Sequence, residues 1–331
     1  MADGGARRLI SASRAFGRRH RVLITVVGSL ATLAVLGFLL AGRRHEFATA
    51  LSSASIWVLV ITVALQIVAL VARSEAWHLT IEAAGGTIER RVLYRASSAQ
   101  VLGSVINGQL GVAARIAALR RSSPEVSPQV PTLIAAEFPI LAVEGTLAAL
   151  ASFTLISPLG IAWWIPLIAV AVLALASGGL RHLAQRTGRQ LWSGLSVLRS
   201  LGGGGRVIAY VLVAVFSQIF RNWMMLTAVG VDASFFDAVA VLIAVGVLGQ
   251  LPLGPGAGAA AAVLILGSNG VAAAAAAGAL LTVTGTIGGL CFLAWAGGDR
   301  LWVARRARRT TRRPPEPPSR SAQRNAPRRR G

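Results

Sequence analysis

Residues 22–41, 54–72, 129–156, 160–178, 207–229 and 271–297 form six apolar runs of about 20 residues or more, the length at which a helix crosses a bilayer. In lipid every backbone N–H and C=O must find its partner within the protein, so runs of this length fold as packed helices. The sequence therefore predicts an all-α, polytopic integral membrane protein. A chain of 331 residues that is 54% hydrophobic and only 14% charged is no soluble globule.

Two more apolar segments, one in each half, are interrupted by glycine, proline and amide residues. They are VLGSVINGQLGVAARIAALR (101–120) and VGVLGQLPLGPGAGAAAAVLILG (245–267), the second preceded by apolar residues 236–244. Non-helical backbone at membrane depth survives only where protein or a water-filled cavity shields it. Both segments are read as broken or re-entrant, which brings the total to about eight membrane segments. A pair of breaks in corresponding places points to a transport-type site between two related halves. Residues 101–115 align with residues 247–261 over a Leu-Gly start and a later glycine followed by small residues.

Charge placement orients the chain. All 33 basic residues are arginine, and 31 lie outside the apolar segments. The N-terminus (1–21) holds six, the 73–95 stretch four, Arg120 and Arg121 two, the 181–206 stretch five, and the tail from Arg300 twelve, whereas the remaining loops hold only Arg43 and Arg44. The positive-inside rule puts the rich segments, and with them both termini, on the cytoplasmic side of the cell membrane. The first broken segment has arginine at both ends and should enter from the cytoplasm and return. The second, flanked by arginine-free loops around Asp232 and Ser268 to Gly270, should dip in from outside, which makes the halves an inverted repeat.

The basic start followed by a long apolar run without a small-x-small cleavage site reads as an uncleaved signal anchor. Residues 181–201, with Leu183, Leu191, Leu195 and Leu198 partly on one face, read as a helix in the cytoplasmic interface that ends at Gly202 to Gly205. Residues 22–299 form the membrane domain. The tail, residues 300–331, is disordered by composition beyond Arg305 and attracts anionic headgroups at about 1 kcal/mol per arginine near the surface. The net charge of +21 lies in these loops and tails, so association of the tail with DNA rests on charge alone and no specific nucleic-acid partner is expected.

Ionisable groups within the spans carry the sharpest chemistry. Glu137 and Glu144 are two helical turns apart on one predicted helix, so both carboxylates face the same way, with Pro139 between them as a kink. Arg221 sits mid-span with Gln218 and Asn222 at helical neighbour spacing, forming a polar stripe. An arginine at that depth costs about 2.5–3.5 kcal/mol on insertion scales and must face the bundle interior, water or a partner. The simplest pairing joins Arg221 to Glu137 or Glu144. Either this pair only sets helix register, or the cluster is a site for an anionic headgroup or a proton-linked carboxylate. Arg115 joins the cluster from the first broken segment, or snorkels to the cytoplasmic interface.

In the second broken segment Pro252, Gly254, Pro255, Gly256 and Gly258 permit sharp turns and leave backbone amides that could meet phosphate. The lysine and Ser/Thr of a Walker motif are missing. No nucleophile–base arrangement stands at a plausible depth, so no catalytic residue, cofactor or enzyme is expected. His20, His45, His78 and His182 are far apart in basic loop sequence and show no metal-ligand spacing. Cys291, the single cysteine, reads as a small packing residue.

Residues 73–86, RSEAWHLTIEAAGG, followed by the first broken segment, resemble the transmembrane region of lysylphosphatidylglycerol synthase/flippase proteins. There an Arg-and-Trp helix end precedes an Asn, a Gly and an Arg. LPLGPGAGAAAAVLIL (251–266) and the small-residue helix that follows resemble that family's Pro-Gly-Gly signature, and the similarity covers about 54–297. The resemblance implies a flippase-like membrane protein whose activity is lipid translocation. By position, Asn107, Gly111 and Arg115 match the first signature, Pro255 and Gly256 the second, and Glu137 or Glu144 an acidic residue of the next helix. The chain departs from the family where a glutamate after the loop is replaced by Ala259 to Ala262, and a proline near Asn107 by Gly108 or Gln109. The segment after Arg300 is too short for the soluble aminoacyl-transfer domain of the full-length synthases, so lysyl-lipid synthesis is not expected.

Two functions follow. One is a translocator of an anionic phospholipid or polyprenyl-phosphate lipid. The other is a non-transporting scaffold whose basic tail and interfacial helix recruit a cell-envelope enzyme. The oligomeric state is not encoded in any feature named above.

Overall fold

The computed structural model describes residues 21–106, 108–122, 128–172, 175, 201–249, 251, 256–267 and 270–311. Among them there is no strand, and helices account for all the expected apolar runs that fall within the described residues. Helix α1 (Arg21–Leu40) carries the first run. It is followed by a short helix that the sequence reading lacked, α2 (Arg44–Ser53), turned 101° from it. Ala50 of α2, with Phe47 and Leu51, packs into the largest apolar cluster, and the Ser53 hydroxyl donates to the Ala228 carbonyl at 3.0 Å.

Helix α3 (Ile56–Ala83) continues well past the expected end of its span at residue 72. The extension is buried nearly all round, from Ser74 to Ile81. Ala76, Trp77 and Ile81 are wholly buried against Leu93, Ala96, Leu119 and Leu133. The arginine-bearing stretch 73–95 is therefore mostly helix, not loop. His78, read as a loop residue, is buried within α3 with Nε2 3.2 Å from the Ile88 carbonyl oxygen. Charges marked this stretch as lying outside the apolar span, but neighbouring helices cover its polar residues Ser74, Glu75, His78 and Thr80 as well as its apolar ones.

The first broken segment is a helical hairpin, α4 (Arg90–Ile106) and α5 (Gly108–Ser122). Gly111 sits at the crossing, where an added Cβ would lie 2.0 Å from the Ser104 hydroxyl oxygen and 2.8 Å from the Gln100 carbonyl. Small residues let membrane helices approach this closely. Because residues 100–104 meet residue 111, the hairpin is antiparallel. Its arginine-bearing ends, Arg90 and Arg91 at one and Arg120 and Arg121 at the other, therefore share a side.

Helix α6 (Val130–Ala151) holds Pro139 in its buried interior and continues through Ser152–Leu155 and Ile156–Leu159 to a left-handed Gly160. The expected span 160–178 is helical over 164–172 and at 175; residues 160–163 are a non-helical turn, and 173–174 and 176–178 lie outside the described residues, as does the interfacial helix at 181–201 up to Leu201. Helix α7 (Leu201–Ala228) contains Gly202 to Gly205, which were expected to end a helix. Glycine is tolerated in membrane helices because lipid offers a freed backbone no other partner.

The second broken segment is α8 (Phe235–Leu248), a break, and α9 (Ala257–Leu266). Ser234 and Asp237 cap α8 reciprocally, with the Asp237 amide donating to the Ser234 hydroxyl at 3.2 Å and the Ser234 amide to the Asp237 carboxylate at 2.9 Å. Helix α10 (Val271–Thr311) runs beyond its span, so the tail expected to be structureless from Arg305 starts as helix. Cys291 is exposed on α10 and is not a packing residue of the interior.

Among the described residues four helices are long and apolar enough to cross a membrane, Ile56–Ala83, Val130–Leu159, Gly202–Ala228 and Val271–Gly298, and α1 with α2 makes a fifth if the bent pair is one span. This is a polytopic membrane protein. Its centre is the pair α3 and α7. Gln66 bonds Gln218 and Ala72 clusters with Ala214, so rising numbers on α3 meet falling numbers on α7 and the two run antiparallel.

Candidate functional site

Polar groups enter the bundle at successive levels along α3. Gln66 and Arg73 are two turns apart, about 10 Å along the axis, and Trp77 lies one turn further.

At the Gln66 level, α7 presents Gln218, Arg221 and Asn222. Arg221 Nη1 donates to Gln66 Oε1 at 2.5 Å and to Gln218 Oε1 at 2.6 Å, Nη2 donates to the Leu281 carbonyl of α10, and Gln218 Nε2 donates to Gln66 Oε1 at 2.9 Å. Gly285 makes room for this contact, since a Cβ there would stand 2.9 Å from Arg221 Nη2. Arg221 is 8% exposed and Asn222 4%. No carboxylate pairs with Arg221 among the described residues. Arg221 Nε and Asn222 Nδ2 are buried and have no partner among the described residues. The guanidinium is thus solvated by three neutral oxygens while its charge stays uncompensated.

Nearer the arginine-rich end, Arg115 of α5 is 2% exposed and makes an ion pair with Glu137 of α6. Its Cζ lies 3.6 Å from the centroid of the Trp77 ring, a cation–π contact. Arg115 therefore does not snorkel. Arg73 of α3 pairs with Glu144 at 2.8 Å in a more open setting.

The expected pairing of Arg221 with Glu137 or Glu144 does not form. Both carboxylates do lie on one face of α6, but that face meets α3 at Arg73 and Trp77, whereas Arg221 of α7 meets α3 about two turns away at Gln66. Each glutamate is taken by a closer arginine. Helix order, not helix periodicity, decided the partners.

The remaining expected site residues are dispersed. Gly111 serves the α4–α5 crossing. Gly256 packs against Thr32 of α1, and Gly258 packs against Gly278 and Thr282 of α10. Asn107, Pro252, Gly254 and Pro255 lie outside the described residues. Three contributors were missing from the sequence-based set: Gln66, Arg73 and Trp77. Gln66 is the single amide in the 54–72 run, a signal of the kind that singled out Gln218, and Arg73 and Trp77 were read only as a helix end. A second polar knot, in which the Tyr94 hydroxyl donates to Glu75 with Arg90 3.7 Å away, ties α4 to α3, and Tyr94 packs edge-on against Phe292 and at a tilt against Trp295 to tie it to α10.

Among the described residues no cluster of three His, Cys, Asp or Glu groups could hold a metal ion. The interior instead contains one neutralised arginine and one uncompensated arginine. No curated protein and no solved structure matches the chain. The family of the lysylphosphatidylglycerol synthase TM region, the one its two glycine-bearing motifs resemble, matches residues 22–294, and the chain belongs to that family.

Proposed function

We propose that this protein binds the anionic headgroup of a phospholipid or polyprenyl-phosphate lipid at Arg221 and passes that lipid between leaflets of the cytoplasmic membrane without altering it chemically. The carrying observation is the uncompensated guanidinium of Arg221, next to the unpartnered N–H groups of Arg221 Nε and Asn222 Nδ2. A phosphate accepts from such donors and supplies the missing charge. Membrane-buried charges that serve only helix register are normally paired, as Arg115 is with Glu137.

The two halves support a transport reading as an inverted repeat with re-entrant hairpins and cytoplasmic termini. Ala83 and Ala228 end α3 and α7, left-handed Gly85 and Gly230 follow two residues later, and Arg90 and Phe235 begin the next helices, each pair 145 positions apart. The antiparallel α3 and α7 give the repeats opposite senses. With Cys291 replaced by serine, single cysteines at Ala113 and Ala257 are expected to react with a membrane-impermeant thiol reagent from opposite sides, in inverted vesicles and intact cells respectively. Reaction from the same side would remove the inverted arrangement.

The function itself is tested in proteoliposomes carrying fluorophore-labelled phosphatidylglycerol and an impermeant quencher. Translocation shows as a quenched fraction that rises above one half in the presence of the protein. A fraction unchanged from protein-free vesicles overturns it and favours the scaffold reading. That second reading draws on the arginine-bearing helical end of α10 up to Thr311, and it requires binding of a partner to be lost on removal of residues 300–331.

A further inference from the structure

An apolar groove of about 330 Å³ runs between α3 and α10, walled by Ile56, Val60 and Val63 on one side and Leu280, Val283 and Ile287 on the other. Its lining is aliphatic apart from Thr284, whose hydroxyl donates to the Leu280 carbonyl at 2.7 Å, and Val60 and Val283 are each about half exposed, so its mouth opens sideways from the bundle. Its volume falls at the lower end of small-molecule sites, roughly 300–1,000 Å³.

The position of the groove gives it meaning. Val63 is one turn from Gln66, and the next groove-wall residue on α10, Thr284, adjoins Gly285, against which the Arg221 guanidinium lies. The apolar groove thus runs beside the residues that hold the buried cation, although Arg221 itself is not part of its wall. Along α3 it extends from Val63 to Ile56, about 10 Å by helix rise, away from the end that carries Arg73, Arg90 and Arg91.

We propose that this groove holds one hydrocarbon chain of the lipid whose anionic headgroup sits on Arg221, with that chain pointing away from the arginine-rich side. The inference rests on the headgroup reading above and adds to it the lateral seat and the orientation of the lipid. Charge complementarity selects the occupant, because an apolar slot beside a buried guanidinium that no carboxylate neutralises among the described residues matches an amphiphile with one negative head. A chain that points away from the arginine-rich side has the orientation of a lipid in the arginine-rich leaflet, displaced inward by its head. The seat therefore receives its lipid from that leaflet.

The experiment uses the full chain in nanodiscs with phosphatidylglycerol bearing a diazirine in mid-chain, and the same label in phosphatidylcholine, with adducts mapped by mass spectrometry. Adducts of the anionic probe are expected on residues 56–63 and 280–287 at about tenfold the level of the zwitterionic probe, a preference worth ~1.4 kcal/mol. Arg221→Gln should abolish that preference, and Val60→Trp with Val283→Trp should move the adducts out of the groove while the preference for the anionic probe persists. A preference that depends on Arg221 but marks residues elsewhere overturns the groove and leaves the headgroup reading standing. Equal labelling by both probes, unchanged by Arg221→Gln, overturns both.

Discussion

Glu137→Leu is expected to destabilise the protein by about 3–5 kcal/mol, read as a shift in denaturant unfolding in mixed micelles. The substitution leaves Arg115, 2% exposed and already short of a partner at Nε, as an unpaired cation inside the bundle. Its contact with the Trp77 face is worth roughly 2 kcal/mol when desolvated, too little to replace the carboxylate. Removing both charges, as Arg115→Met with Glu137→Leu, should recover most or all of the loss, because a buried ion pair gives little net stability over well-packed apolar residues. A double variant as unstable as the single one would show that the pair orders the α4–α5 hairpin in a way that packing cannot replace.

Arg221→Gln is expected to do the opposite: transport falls at least about tenfold while stability is unchanged or slightly raised. Glutamine can still bond Gln66 and Gln218, and the variant no longer holds a charge at a depth where insertion of an arginine costs about 2.5–3.5 kcal/mol. The proteoliposome assay reads the transport loss, and thermal unfolding of the same preparation reads the stability. Lower stability with transport intact would make Arg221 a structural peg between α3, α7 and α10. The contrast between the two arginines is the point of the pair of tests, since one is neutralised by the fold and the other is left charged by it.

These partners were only partly legible in the sequence. The stripe of Gln218, Arg221 and Asn222 follows from helical spacing alone, as does the common face of Glu137 and Glu144. Which stripe meets which does not, because the choice depends on the order in which helices surround α3. Gln66 was passed over as a lone amide in an apolar run, yet it bridges Gln218 and Arg221. That two apolar segments are interrupted was visible because glycine, proline and amides stand within them. That the first break is an antiparallel hairpin rests on one crossing at Gly111 that no local pattern announces.

Length and apolar composition determined by themselves that this chain is helical and lies in a membrane, because in lipid only internally bonded backbone survives, and every span-length run leaves one local solution. Arginine placement predicts which loops share a side. The tertiary structure alone decided that 73–83 is a buried helical extension, that Arg115 takes Glu137, and that Arg221 meets no carboxylate among the described residues. Each of these depends on contacts between residues tens to hundreds of positions apart, where the free energy of a charge is set by what surrounds it after packing and not by its neighbours in the chain.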